Sequence, residues 1–374
     1  MALYEGIALI QEKQAVVLDL GTDYTKFGFT GEAAPRCIVR SEFWCTTRRA
    51  MRRVHDYDTP EDLYDNLVNM LHLLYFRHVL VNPKERKVVV VESLLTPTLF
   101  RETLAKVLFI HYEVSGVIWA DTPRLCALTL GTPIALIVSI GAKEAEVAAV
   151  VHGVVVVPGL QVGPLGAEAT RAELARRLRG ENGDIEIHPH VLEDIAVKTC
   201  FVTPLPRALQ WRSPSAPPAC PPARYPARGG TILVSGETRE LCAEHMFLRD
   251  AEFCSLPDLI LQCIIASPID VRRALAGNIL LAGGGAAMPG LQARLAAELK
   301  QLVQEEPYNE RLFVKEFAFH KAPCHVNSTA WCGGAAAGGA GGAHTREQYA
   351  RAPRLRDWVC LLHNTPPDHP QRNM

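Results

Sequence analysis

The feature that most constrains the fold of this chain is a unit of strand, glycine turn and strand that occurs twice. The first copy runs from the apolar segment 15–20 through Gly21 to a strand around 27–30. The second runs from residues 134–141 into residues 145–153. Apolar, β-branched runs on either side of a glycine predict β-hairpins. Two such hairpins, far apart in the chain, indicate a duplicated α/β architecture with one hairpin in each part.

The segments around the hairpins supply the remaining elements of this architecture. Apolar residues at helical spacing predict helices over 60–75 and 100–112, with a buried strand at 87–91 between them. Two further amphipathic helices are predicted over 169–178 and 191–201. Strands that alternate with helices are typical of α/β domains.

A strand at 278–282 ends in three consecutive glycines, Gly283 to Gly285, and a helix is predicted over 289–302. Backbone amides at such a turn and at a helix N-terminus can face a phosphate group. Taken alone, three glycines support only a tight turn. The junction is therefore a candidate phosphate site with a purely structural alternative.

The most proline-rich part of the chain is residues 204–226, which hold eight prolines. Proline breaks a helix interior and removes a hydrogen-bond donor from a central strand. We therefore predict an exposed extended loop. The alternative is a ligand for a domain that recognises proline-rich peptides.

Composition narrows the class of protein. With 374 residues, 48% of them hydrophobic, the chain is long enough for two globular units. Its net charge of −1 predicts no nucleic-acid-binding face. The apolar stretch 134–158 is interrupted by charged residues, which predicts no membrane insertion, and the first fourteen residues do not resemble a secretory leader.

Cysteine and histidine positions predict neither disulfides nor a metal site. The 11 cysteines include no Cys-x-x-Cys pair, which is typical of reduced thiols in the cytosol. Cys242-x-x-His245 and Cys324-His325 each lack the second ligand pair that zinc requires.

Several motifs occur together in one order along the chain. LDLGTDYTKFGFTGEAAPR (18–36) and IVSIG (137–141) resemble the two phosphate hairpins of actins and actin-related proteins. Further segments that resemble this family are 192–202, 236–247, 269–290 and 330–334. The resemblance covers nearly the whole chain. It implies an actin-like α/β fold of two lobes, each with an RNase H-like core, around a nucleotide cleft.

The resemblance also implies a domain organisation. Residues 1–128 plus 329–374 would form a small lobe, and residues 129–328 a large lobe that includes the proline-rich loop 204–228. Because members of one fold carry different functions, the cleft residues have to decide the role.

The family pattern places nucleotide contacts at the two hairpins and at the later glycine turns. The resemblance assigns these contacts to Asp19, Gly21, Thr22, Lys26, Gly141, Gly166, Gly284 and Gly285. In the family, the aspartate orders the waters of Mg²⁺ and the lysine reaches the phosphates. ATP or ADP is the implied ligand.

The chain departs from the family pattern where hydrolysis would occur. Two hairpin carboxylates of actins are replaced by Ser139 and Ala142, and the glutamine that positions water by Thr122. Asp23 replaces a glycine and would repel phosphate oxygens unless its side chain turns away. A hard cation needs oxygen ligands, so we expect no catalytic residue and no bound metal.

Other cleft contacts of the family are also lost. The lysine and glutamate on the purine side become Ala196 and Val197, and a lysine near Trp331 becomes Asn327. These losses predict a chain that is not an enzyme. Either ATP or ADP stays bound as an unhydrolysed structural ligand, or the cleft is empty and its glycines serve packing.

Residues 41–58 are shorter than the corresponding part of actins, which carries the pointed-end subdomain and a loop that inserts into the next filament subunit. A subunit with no loop can receive a neighbour's loop but has none to offer, so filament growth would stop there. The alternative is a trimmed surface loop with no functional meaning.

Within the family, segments 3–6 and 73–93 resemble the dynactin branch of the actin-related proteins. This implies a structural subunit of the cytoplasmic cytoskeleton that binds an actin or actin-related filament neighbour. It also implies contact with dynactin pointed-end subunits and, indirectly, with dynein. Two alternatives are an ATP-binding enzyme of the actin, Hsp70 and sugar-kinase fold and a nuclear actin-related subunit of a chromatin complex.

Overall fold

A computed structural model describes six stretches of the chain. They are residues 14–84, 86–183, 185–227, 230–249, 254–338 and 342–355. The chain divides after Leu125 and again before Ala330. We call the part formed by the described residues up to 125 and from 330 onward unit 1, and residues 126–329 unit 2. The boundaries drawn from the sequence lie after residue 128 and before residue 329.

Both units mix strands and helices. The strands are β1 (Val16–Leu20), β2 (Tyr24–Phe29), β3 (Cys37–Arg40), β4 (Glu42–Cys45), β5 (Ala50–Arg53), β6 (Lys87–Glu92), β7 (Gly116–Asp121), β8 (Ile134–Ile140), β9 (Ala145–Val151), β10 (Val154–Val155), β11 (Gln161–Gly163), β12 (Ala223–Ala227), β13 (Gly230–Val234), β14 (Ile279–Ala282), β15 (Phe319–His320) and β16 (His344–Thr345).

The helices are α1 (Pro60–Leu73), α2 (Thr98–Lys106), α3 (Thr122–Leu130), α4 (Ala167–Asn182), α5 (Pro189–Thr199), α6 (Leu205–Trp211), α7 (Gly236–Leu241), α8 (Leu256–Ala266), α9 (Arg272–Gly277), α10 (Leu291–Leu302), α11 (Tyr308–Arg311), α12 (Thr329–Ala337) and α13 (Arg346–Arg351). In the described part of the chain, no helix combines the length and the apolar character needed to cross a membrane.

Unit 1 is built on a six-stranded sheet in the order β16-β7-β6-β1-β2-β3. β1, β6 and β7 are parallel, while β1 and β2 form the first predicted hairpin. Val16 and Leu18 pack into one apolar cluster and Val17 into another, so β1 is buried on both faces. This double burial explains why the strand is a continuous apolar run in the sequence.

The residues at the start of α1, the first long helix of unit 1, explain why this helix forms where it was predicted. Thr59 caps α1 by accepting a hydrogen bond from the Asp62 amide, and Pro60 follows at the first helical position. The chain continues from α1 through a π-helical turn, Leu74–Val79, and α2 continues in the same way through Val107–His111. The two predicted helices are confirmed, with π-helical ends.

Unit 2 is built on the sheet β10-β9-β8-β14-β15, with β11 beside β9. β8 and β9 form the second predicted hairpin, and β14 lies parallel to β8. β14 leads through a 3₁₀ turn, Gly285–Ala287, into α10. The predicted strand, glycine turn and helix are therefore confirmed.

The prediction of an exposed loop over residues 204–226 is confirmed for residues 212–222 and is wrong at both ends of the segment. The ends form helix α6 and strand β12. Pro206 lies in the first turn of α6, where no amide is required for helix hydrogen bonds. Among the strands that the structure describes, β12 pairs only with β13, so Pro226 interrupts no central ladder. The positions of the prolines within the helix and the strand therefore decide whether these elements form, and the number of prolines does not.

Candidate functional site

The first hairpin, in unit 1, places two predicted contact residues opposite each other. Asp19 on β1 pairs in register with Lys26 on β2. Lys26 Nζ lies 2.7 Å from Asp19 Oδ2, and the two side chains are only 13% and 17% exposed. The cation that the resemblance assigns to phosphate binding is therefore paired with a carboxylate of its own unit.

The turn of this hairpin requires its glycine for a local reason. The Gly21 amide donates to the Tyr24 carbonyl at 3.2 Å. A Cβ atom on Gly21 would lie 2.8 Å from that oxygen, which is closer than side chains allow. Gly21 is thus needed for the turn whether or not a ligand is bound.

Asp23, which replaces a glycine of the family, is engaged by strand β5. Arg53 Nη2 donates to Asp23 Oδ1 at 2.6 Å and lies 3.5 Å from the Thr22 carbonyl. The Asp23 carboxylate therefore faces a guanidinium group, and its charge is neutralised within unit 1.

Two more residues bind the same turn. Ser41 donates from its backbone amide to the Asp23 carbonyl at 2.9 Å and from its hydroxyl to the Gly21 carbonyl at 2.5 Å. His55 Nε2 lies 3.2 Å from the Gly21 carbonyl, and the His55 ring stacks on Phe100. Side chains from the shortened segment thus hold the first glycine turn.

The second hairpin, in unit 2, is held by backbone groups. The Gly141 amide donates to the Glu144 carbonyl at 2.9 Å. The amides of Gly166, Ala167 and Glu168 donate to the carbonyls of residues 143, 141 and 142, at 3.2, 3.0 and 2.8 Å. These amides lead into helix α4, and a helix N-terminus with its amides engaged offers fewer donors to an anion.

The glycines of unit 2 converge on this hairpin turn. A Cβ atom on Gly166 would clash with the Ala142 carbonyl, and one on Gly285 would clash with the Ile140 side chain. On Gly141 it would lie 3.3 Å from the Glu144 carbonyl, whereas on Gly284 it would meet nothing within 4 Å. Packing therefore explains Gly166 and Gly285, and Gly284 faces open space where a ligand could approach.

The positions where the resemblance expects hydrolytic residues carry no suitable group. The Thr122 hydroxyl donates to the Glu92 carbonyl at 3.0 Å, at the start of α3. Ser139 pairs with Glu146 across the second hairpin, and Ala142 has no polar side chain. Val197 is 72% exposed on α5 and offers only an apolar surface on the former purine side.

The structure gathers the eight predicted contact residues into two groups. Asp19, Gly21, Thr22 and Lys26 belong to the unit 1 hairpin. Gly141, Gly166 and Gly285 lie in or against the unit 2 hairpin, and Gly284 precedes Gly285 and faces open space. Within the described ranges, no group of three or more His, Cys, Asp or Glu side chains could hold a metal ion. Asp19, the carboxylate that the resemblance assigns to the waters of Mg²⁺, is engaged by Lys26. Contacts of these residues with a nucleotide and with Mg²⁺ stay predictions.

Sequence reasoning missed Ser41, Arg53 and His55 as residues of the first glycine turn. A signal was available, because an extra carboxylate at Asp23 accompanies the arginine-rich sequence RRAMRR at 48–53. Such a carboxylate requires a cation if it is to stay partly buried. The sequence does not say which of the four arginines supplies it.

A comparison with protein-family models matches residues 61–200 and 184–347 to the family described as Actin, which is more than half of the chain. The chain belongs to the actin family. The matched ranges include the second hairpin and the glycine junction of unit 2. The first hairpin precedes them, so its family pattern rests on the residues quoted from the sequence.

The relatives found include several members of the actin family. Actin-related protein 10 of Dictyostelium discoideum is 22% identical, over 87% of this chain and 82% of its own length. Actin-like protein 7A of Rattus norvegicus and of Mus musculus are each 27% identical, over 78% of this chain and 72% of their own lengths. The finer sequence resemblance is also to actin-related protein 10. Of its two segments, residues 3–6 lie outside the described part.

Proposed function

We propose that this actin-family chain is a non-catalytic structural subunit, the pointed-end cap of the actin-like filament of dynactin. In this role it supports dynein-driven transport along microtubules and belongs to the cytoplasmic cytoskeleton. Similarity to actin-related protein 10 supports the assignment to this branch of the family. The observation that carries the proposal is the conformation of the shortened segment, residues 41–58.

This segment folds back onto its own unit. It forms the hairpin of β4 and β5, in which Phe43 is buried in the unit 1 core. Arg52 pairs with Asp62 on α1 at 3.2 Å, and Arg53 pairs with Asp23. These contacts fix the base of the hairpin, and residues 46–49 alone join its two strands, which leaves no long loop to insert into a neighbour. A subunit that receives a loop but offers none ends a head-to-tail filament.

The barbed-end partner would be an actin or actin-related filament neighbour. This chain would receive the loop of that neighbour. The dynactin pointed-end subunits would bind the side of the chain that carries β4 and β5, and dynein would be reached only indirectly.

The proposal includes the absence of ATP hydrolysis. Thr122, Ser139 and Ala142 stand where the resemblance expects the water-positioning glutamine and two carboxylates. A bound ATP or ADP would therefore be an unhydrolysed ligand. In a single-turnover assay with Mg²⁺, we expect ATP to release phosphate no faster in the presence of the purified chain than in buffer alone. Phosphate release in step with bound nucleotide would instead favour the enzyme alternative.

The capping role is tested by restoring what the chain lacks. A full actin-type loop inserted between Ser41 and Asp58 should allow one further subunit to add, so that the filament in the recovered complex is longer in electron micrographs. The matched control is a Gly/Ser insertion of equal length at the same place, which should leave filament length unchanged. Unchanged length with the actin-type loop would contradict the capping role.

The similarity to actin-like protein 7A favours a second candidate, an actin-family structural protein that does not belong to dynactin. A nuclear subunit of a chromatin complex is a third. Antibody staining of the chain distinguishes nuclear from cytoplasmic location, and the proteins that copurify with it distinguish dynactin from other assemblies.

A further inference from the structure

The first glycine turn of unit 1 is contacted from one side by three residues of the shortened segment. Ser41, Arg53 and His55 all reach the backbone or side chains of residues 21–23. The segment is itself closed, because the Val54 amide donates to the Ser41 carbonyl at 2.9 Å. The turn and the hairpin therefore form one hydrogen-bonded structure.

The core of this structure is a buried chain of hydroxyl groups. Ser41 Oγ lies 2.8 Å from Thr25 Oγ1 and 2.5 Å from the Gly21 carbonyl. Because a carbonyl can only accept, the Ser41 hydrogen is directed to Gly21, and Thr25 donates to Ser41. Ser41 is 2% exposed and Thr25 is fully buried. Buried polar groups with their partners in place fix one conformation of the backbone.

The charged side chains around the turn are also paired with one another. Asp19 is paired with Lys26 and Asp23 with Arg53, so the two carboxylates and the two cations of these pairs sum to zero. A triphosphate binds where positive charge or a metal ion compensates its own charge. Both cations of these pairs are already engaged with a carboxylate.

We infer that residues 41–55 replace a nucleotide as the element that holds the first glycine turn. The turn then keeps its conformation, and unit 1 its stability, with no nucleotide bound. Arg53 and Ser41 act as positioning residues for the turn. The inference concerns the nucleotide and does not rest on the capping role, so the two can fail separately.

The test uses the full chain, purified and stripped of nucleotide with EDTA and apyrase. Nucleotide content is measured by chromatography after acid extraction, and thermal unfolding is followed with and without 1 mM ATP, with Mg²⁺ present or absent. We expect the melting temperature of the wild-type chain to change by less than about 1 °C on stripping and on adding ATP, because a ligand that binds the native state tightly would raise it by more.

The double variant Ser41→Ala/Arg53→Met removes the side chains that we propose hold the turn in place of a nucleotide. Its melting temperature should be several degrees lower than that of the wild type. The matched control is Arg48→Met, which removes another arginine of the same hairpin, paired with Asp62 and not with the turn. It should melt within about 1 °C of the wild type, because an exposed ion pair contributes little. The inference is overturned if the control falls as far as the double variant.

The wild-type chain provides two further outcomes. If it copurifies with one equivalent of nucleotide and melts several degrees lower once stripped, the inference is wrong. If the double variant does not fold, amide hydrogen exchange of peptides covering residues 19–26 in the wild type decides the matter. Equal protection with and without 1 mM ATP supports closure by the chain, and a rise in protection on adding ATP contradicts it.

Discussion

The two glycine turns have the same place in their hairpins but are closed by different chemistry. In unit 1, the side chains of Ser41 and Arg53 bind the turn, and ionic pairs neutralise its carboxylates. In unit 2, backbone amides that lead into α4 bind the turn, and glycines allow the close approach of the chain. Both turns require a glycine, but the unit 1 turn depends in addition on the identity of side chains that bind it, whereas the unit 2 turn depends on backbone groups.

This difference shows why a retained glycine is a poor guide to a ligand. Gly166 and Gly285 match the family pattern, yet each is required because a neighbouring group leaves no room for a Cβ atom. Gly284 is the residue of this group at which packing imposes no such demand. The glycines of the unit 2 turn can therefore match the family pattern even though the carboxylates at positions 139 and 142 are replaced.

The largest effect should come from adding a methyl group to the glycine junction after β14, which packs against the unit 2 turn. Gly283 has φ of +86°, and its Cβ atom would clash with the Ile140 carbonyl. Left-handed backbone and overpacking together should make Gly283→Ala destabilising by roughly 3 kcal/mol or more. Chemical denaturation of the purified variant measures this change.

The neighbouring glycine provides the control. Gly284 has helical φ and ψ of −64° and −38°, and a Cβ atom there meets nothing. Gly284→Ala should change the free energy of unfolding by no more than about 0.5 kcal/mol. Equal losses for the two variants would show that backbone packing does not hold this turn.

The next effect is a pH dependence of stability. It should appear in regions that ionisable side chains stabilise and be absent from regions that backbone hydrogen bonds stabilise. Burial alone would raise the pKa of Glu240, but hydrogen bonds from Arg207, Trp211 and the Cys220 amide lower that pKa from 4.5 to about 2. Glu240 thus anchors the proline-rich segment, with Arg207 Nη2 2.8 Å from Glu240 Oε1.

Because the pKa of Glu240 is lower in the folded state, its contribution to stability is complete above about pH 4.5. It is lost as the pH falls to about 2, since the unfolded state binds the proton first. We expect a loss on the order of 2 kcal/mol over this range. Amide protection in residues 204–227, measured relative to the intrinsic exchange rate at each pH, should fall accordingly. Glu240→Gln should remove the Glu240 contribution to this pH dependence. An equal fall in protection in residues 141–144 of the wild type would contradict the distinction.

The smallest effect concerns the ion pair of the unit 1 turn. Asp23 and Arg53 have side chains that are 17% and 41% exposed, so solvent screens their attraction. A double-mutant cycle with Asp23→Asn and Arg53→Gln should give a coupling free energy of about 0.5–1 kcal/mol, smaller in high salt. A coupling of zero would mean that the hydroxyl chain through Ser41 holds the turn without the ion pair.

The sequence predicts the elements whose signals are local. The two hairpins, the glycine junction after β14 and the long helices follow from apolar spacing and glycine position. The segment 204–226 could not be predicted in this way, because Glu240 binds Arg207, Trp211 and Cys220 from a distant part of the chain. Tertiary contacts stabilise a helix and a strand there that proline content argues against.

The members of the candidate site are named by the resemblance, but the way in which they pair is not. The resemblance assigns Asp19 and Lys26 to a nucleotide, and the structure pairs them with each other. It predicts repulsion between Asp23 and phosphate, and the structure supplies Arg53. The first pair lies within the hairpin of β1 and β2, and the second depends on the shortened segment 41–58. A sequence shows which residues depart from the family pattern, but only the structure shows which of these residues pair with each other.

The measurement that tests the central claim most directly is affinity purification of the tagged chain from cytosol, with quantitative identification of its companions. The account predicts actin-related filament subunits and dynactin pointed-end subunits in fixed ratio, with one copy of this chain per filament. Recovery of a lone monomer, or of a chromatin complex in place of dynactin, would contradict it.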